Sequence, residues 1–359
     1  MTKKTHLALA IVVGLLVSAC GNQPNAPTLE ESTAEIAGLI AADRLHDDRG
    51  RFREVFCAVL EERGEALPDY RKCEEAIRAT GPEAGATGAE VNLGQSQLRP
   101  LALMVPGLGW ECFKTFLDLQ FSAPVHVARY GYEVRAIPVD GLSSSKHNAE
   151  QINDYVSALP PEDLERPLIL VGYSKGTPDI LEALVHFPQL AKQVTAVLSL
   201  AGAVKGSHLA DKATQGQANL LTDLPGSQCD KGDEGAIKSL QTEVRLAWLE
   251  NNPLPTNVRY YSVVTYPHYD RVSRGLRESY SVLSGVDIRN DTQVLIYDQT
   301  IPQSNLVAFL NADHWAIAVP VERTHPFFSS LFVNNNDYPR EALLEALLRY
   351  IEEDLASQR

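Results

Sequence analysis

The chain has 359 residues, 44% of them hydrophobic, and a formal charge of −14. That length allows one large core plus an accessory unit, with no internal repeat or low-complexity tract. The acidic balance argues against nucleic acid and anionic lipid surfaces as partners.

Met1 to Lys4 carries two lysines, and Leu7 to Ala19 is an uncharged apolar run closed by small residues. This is the pattern of a secretory leader. The run is too short to cross a hydrocarbon core, which needs about 20 helical residues. It ends Val17-Ser18-Ala19-Cys20, which resembles the lipobox of bacterial lipoproteins. The resemblance implies that residues 1–19 are removed and that Cys20 becomes a diacylglyceryl-modified, N-acylated first residue, anchored by several acyl chains. Gly21 and Asn22 follow, and the absence of Asp after Cys20 resembles outer-membrane sorting in Gram-negative bacteria, with the protein facing the periplasm. Residues 20–32 are polar, carry two prolines and read as a tether.

Phe52, Val55, Phe56, Val59 and Leu60 recur at helical spacing, so an amphipathic helix is expected here, stopped at Gly64. Leu67-Pro68-Asp69 is expected to open a second helix carrying Cys73. Without Cys20, four cysteines remain, an even number suited to an oxidising compartment: Cys57, Cys73, Cys112 and Cys229. The helical hairpin brings Cys57 and Cys73 together, a bond that adds about 3 kcal/mol in the chain-entropy view. Cys112 and Cys229 then pair by default. Residues 33–80 thus form a small helical unit, and residues 81–97 a linker.

Over residues 98–359 short apolar runs alternate with helical stretches: Leu101 to Val105, Val134 to Val139, Leu168 to Val171, Val194 to Leu200, Val258 to Val264 and Leu306 to Leu310. Asn148 with Gln151 has capping-box spacing before the stripe Ile152, Val156 and Leu159. Continuous apolar strands between helices predict an α/β fold, a mostly parallel sheet with helices on both faces. Sites in such sheets lie beyond the carboxyl ends of the strands. Residues 203–257 form a long excursion between two strands, with Ile237, Leu240, Val244 and Ala247 on one helical face, and are expected to cap that site.

The strand Leu168 to Val171 runs into Gly172-Tyr173-Ser174-Lys175-Gly176, and the stripe Ile180, Leu181 and Leu184 follows. This is G-x-S-x-G in the strand-turn-helix setting that presents a nucleophilic serine on a strained turn. Glycines are needed there because backbone and helix approach with no room for a Cβ. From Leu98 to Arg359 the chain resembles the α/β-hydrolase superfamily, in particular its bacterial lipase and esterase branch.

The resemblance implies a triad in the order nucleophile, acid, histidine. Among nine histidines, His314 in Asn311-Ala312-Asp313-His314 comes straight off the last strand, where the family places its general base. Asp270, Asp291 and Asp298 follow the strand Val258 to Val264. Asn290-Asp291-Thr292-Gln293-Val294 resembles the family's Asn-Asp-Gly-x-Val turn, with Thr292 in place of the glycine, and favours Asp291 over Asp298 and Asp270. The oxyanion donors implied are the N–H of Lys175 and the N–H of Leu108 in Pro106-Gly107-Leu108, where Pro106 replaces the family's histidine.

Gly107-Leu108-Gly109 lacks the third glycine of a dinucleotide fingerprint, and no metal or phosphate motif occurs, so no cofactor is expected. The reading is a serine hydrolase of carboxylic esters, with lipid esters suggested by the tether. Its alternatives are an envelope acyltransferase using the same triad and a non-catalytic envelope-anchored interaction module.

Overall fold

A computed structural model of the protein describes residues 29–112, 122–219, 222 and 231–357. The leader, Cys20 and most of the tether lie outside the described residues.

Seven strands build one sheet: β1 (His46–Asp47), β2 (Leu101–Val105), β3 (Glu133–Ala136), β4 (Leu168–Tyr173), β5 (Val194–Leu200), β6 (Arg259–Thr265) and β7 (Asn305–Leu310). Their order is β1-β7-β6-β5-β4-β2-β3, and every neighbouring pair is parallel. The strands between the edges read as unbroken apolar runs because both faces are covered. Helices α1 (Leu29–Asp43), α2 (Arg49–Arg63), α3 (Ser145–Ser157), α4 (Gly176–His186), α5 (Thr242–Asn251) and α6 (Arg340–Ala356) are the longer ones among the described residues. Along β4 the side chains alternate: Ile169 and Val171 share a core with Phe52 and Phe56 of α2 and Leu347 and Ile351 of α6. Leu168 and Leu170 join Ile152 and Val156 of α3 and Ile180 and Leu184 of α4 on the other face. This is the α/β-hydrolase fold. Among the described residues no helix is long and apolar enough to cross a membrane.

The segment before β2 is built into this sheet. β1 pairs with β7, and Ile77 bridges Leu310 in antiparallel fashion. The Asn311 N–H donates to Ala76 O at 2.8 Å, and the Tyr338 hydroxyl donates to the same carbonyl at 3.0 Å. Cys57 and Cys73 form a disulfide, with their Cα atoms 5.2 Å apart.

Three local expectations are corrected. The second helix does not begin at Leu67. It is the short Cys73–Ala76, because Asp69 turns the chain at φ 55° and uses its carboxylate to hold Arg323 and Arg340. Helix α3 starts earlier than Asn148: Ser144 is its N-cap, accepting the His147 N–H at 3.2 Å, and Asn148 turns inward. The single face through Ile237, Leu240, Val244 and Ala247 is split between Ala236–Ser239 and α5. Ala247 is exposed, while Arg245 is the residue α5 buries.

Candidate active site

The sheet's carboxyl edge brings four loops together. β4 ends at Tyr173, and Ser174 follows at φ 54° in the left-handed region. A non-glycine residue there stores strain of order 1–3 kcal/mol, which the surroundings must hold in place. Its N–H donates to Leu200 O at 3.1 Å, and its carbonyl accepts the N–H of Ala203 at 3.1 Å and of Thr177 at 3.2 Å. The flanking glycines are sterically required. A Cβ on Gly172 would sit 2.6 Å from Thr177 Cα, and one on Gly176 would sit 2.1 Å from Val105 O.

The loop after β2 lies against this turn, since a Cβ on Gly107 would come within 3.0 Å of Ser174 Cβ. Gly109 N–H is tied to Gly141 O at 3.1 Å, but neither the Leu108 nor the Lys175 N–H donates to an acceptor among the described residues. Two backbone donors without partners beside Ser174 are what an oxyanion formed there would require.

His314 leaves β7 in a turn organised by Asp313, a buried carboxylate that accepts the N–H of Ser273, Trp315 and Ala316. Desolvation raises the Asp313 pKa even against those bonds. The Tyr173 hydroxyl donates to His314 O at 2.8 Å, and burial pushes its own pKa up. His314 Nδ1 lies 2.7 Å from Asp291 Oδ2, both side chains being almost wholly buried. The pairing fixes the proton on Nδ1 and leaves Nε2 as the basic nitrogen.

Asp291 is gripped at both oxygens. Oδ1 accepts the N–H of Gln293 at 2.9 Å and of Val294 at 2.8 Å, and Oδ2 also accepts the Thr265 hydroxyl. The His314 N–H returns to Asp291 O at 2.9 Å. Thr292 stands at φ 88°, a glycine conformation, with its buried hydroxyl unpartnered. The threonine therefore adopts the turn expected from the likeness to an Asn-Asp-Gly-x-Val motif, at a cost in strain.

The rival carboxylates are elsewhere. Asp270 is exposed on a short 3₁₀ turn, Tyr269–Arg271. Asp298 faces His208 at 4.0 Å, has a buried oxygen without a hydrogen bond, and is pushed up to about 7 by desolvation. Residues that sequence reasoning missed are Tyr173, Thr265, Asp313 and the side chain of Lys175, whose roles depend on contacts between distant loops.

An apolar cluster adjoins the site: Leu108 packs against Leu142, Ala203, Ile237, Leu240 and Val294. Cys112 joins it and is disulfide-bonded, while Cys229, its expected partner, lies outside the described residues.

The chain is similar to a metagenomic carboxyl esterase of known structure at 36% identity and a TM-score of 0.81, over 90% of this chain and 99% of that one. The mature form of a Bacillus licheniformis lipase aligns with a TM-score of 0.51 and 22% identity over 68% of this chain and 96% of that one, a likeness of fold. No protein-family model matches the chain, and no curated protein does.

Proposed function

For a chain that belongs to the carboxyl esterases of the α/β-hydrolase fold, and so is an esterase- or lipase-like hydrolase, we propose that Ser174 is acylated by carboxylic esters with His314 and Asp291 as its base and acid. His314 Nε2 takes the Ser174 proton as Oγ attacks the ester carbonyl. The N–H groups of Leu108 and Lys175 hold the oxyanion. The imidazolium, stabilised by Asp291, protonates the departing alkoxide, and the alcohol leaves. Water, deprotonated by His314, then attacks the acyl carbonyl, and the imidazolium returns that proton to Ser174 Oγ as the acid leaves.

The observation that carries this reading is the buried 2.7 Å pair of His314 and Asp291 on loops flanking the strained Ser174 turn. The test is pre-steady-state hydrolysis of p-nitrophenyl esters from acetate to palmitate. A burst of one nitrophenolate per enzyme, lost in Ser174→Ala, is expected; linear release that persists in Ser174→Ala would contradict it.

Lipid esters are the preferred class, delivered by an anchor on Cys20 in the outer membrane facing the periplasm. Support comes from the leader pattern ending at Cys20. Cys20→Ala is expected to move the protein out of the membrane fraction or stall its processing, and unchanged membrane-bound mature protein would refute the anchor. The excursion 203–257 acts as cap through Ala203, Ile237 and Leu240, which share with Val294 the apolar cluster that Leu108 packs against. Ile237→Ala should then shift the preferred chain length, and an unchanged preference would remove that role.

A further inference from the structure

We propose that the Lys175 ammonium is a positioning group of the oxyanion site, there to cancel a carboxylate charge buried behind it. The inference rests on the reading above, in which the Lys175 N–H is an oxyanion donor. The Lys175 side chain does not reach solvent: it is 1% exposed, and Nζ lies 2.9 and 2.8 Å from the two oxygens of Asp179, itself fully buried. Asp179 sits one helical turn further along α4, about 5–6 Å on. Its Oδ2 also accepts the Asn148 side-chain N–H at 2.7 Å, which locks the carboxylate to α3.

The position makes this pair more than packing. The N-terminus of α4 attracts negative charge, and the oxyanion develops there. A carboxylate in the same first turn opposes that charge unless a cation neutralises it. From the other wall comes Glu111, directly after the oxyanion loop, with one oxygen on the Gly141 N–H and the other buried without a partner. Burial raises the Glu111 pKa and so favours its neutral acid. Asp179 is thus the carboxylate that Lys175 neutralises, both of its oxygens lying within 2.9 Å of Nζ.

A purely structural ion pair and a charge-cancelling one predict different kinetics. Lys175→Met takes the ion pair from Asp179 and leaves the buried Arg245 guanidinium of α5, which attracts it, and Glu182, which repels it, as charged groups still acting on it. Lys175→Met/Asp179→Leu removes both charges at similar volume and avoids the stranded charge if the single variant folds poorly. Asp179→Asn leaves no carboxylate, whether or not the buried amine keeps its proton. Each is compared with wild-type protein already shown to hydrolyse a p-nitrophenyl ester, so failure of the esterase reading appears in the wild type and not in this comparison.

The charge-cancelling role predicts that Lys175→Met loses kcat by on the order of tenfold to a hundredfold with KM little changed, the size expected for a unit charge a few ångströms from the oxyanion. The double variant and Asp179→Asn stay well above it. Equal losses in all folded variants would make the pair a scaffold and overturn the inference. If Lys175→Met does not fold, a double variant slowed a hundredfold overturns it, and one within tenfold of wild type upholds it.

Discussion

Tyr173 donates its hydroxyl to the backbone carbonyl of His314 at 2.8 Å, so the residue before Ser174 holds the loop that carries His314. The two rings lie 5.2 Å apart. Tyr173→Phe keeps the ring but leaves a buried carbonyl without its donor, a loss of about 1–3 kcal/mol. Urea unfolding should show that loss, and kcat should fall by about tenfold with KM steady as the base loop loosens. Unchanged stability and kcat would mean the bond is incidental.

Asp298 provides a contrast with Asp291. Its pKa is raised from 3.8 to about 7 by burial, so between those values the native state holds a proton that the unfolded state has released. Stability therefore falls as pH rises from about 4 to 7. Asp298→Asn removes that dependence: it should match wild type near pH 4 and exceed it by up to about 4 kcal/mol at pH 8 in denaturant titrations. Its turnover should stay near normal, whereas Asp291→Asn should lose about 10⁴-fold in kcat, the size of loss that the same substitution causes in the triad of a serine protease. The reverse ranking would exchange the two assignments.

Thr292 occupies a backbone conformation suited to glycine and buries an unpartnered hydroxyl. Thr292→Gly relieves strain of order 1–3 kcal/mol, against roughly 1 kcal/mol of extra unfolded-state entropy and about 0.8 kcal/mol for the lost methyl. With the hydroxyl's desolvation also removed, a net gain of about 1 kcal/mol is expected, read from chemical denaturation, with kcat unchanged. Destabilisation would show that the threonine packing outweighs the strain.

The Cys57–Cys73 bond closes a loop with a sequence separation of 16 and anchors a segment that meets the end of β7 at Ala76 and Ile77. Its removal in Cys57→Ala/Cys73→Ala should lower stability by about 3 kcal/mol. Non-reducing peptide mapping of the unaltered protein should recover the linked pair, and two free thiols would contradict it.

What was legible in the sequence follows from period and chemistry. The central strands are read from their apolar runs because both faces of the sheet are covered, and Gly172 to Gly176 from a steric need that only glycine meets. The two residues of β1 have no run to read. The helix expected from Leu67 fails because Asp69 turns the chain to hold arginines far along it. Asn148, whose spacing suits a cap, is instead drawn inward by Asp179, a partner 31 residues away. Thr265 and Tyr173 gain their roles across loops that only the folded sheet brings together.

The most direct test of the site is mass spectrometry of the protein after brief exposure to a fluorophosphonate. A single adduct on the peptide containing Ser174 is predicted, absent in Ser174→Ala and formed far more slowly in His314→Ala. No adduct on the folded protein, or an adduct on another residue that Ser174→Ala leaves in place, would contradict the assignment of Ser174 as the nucleophile.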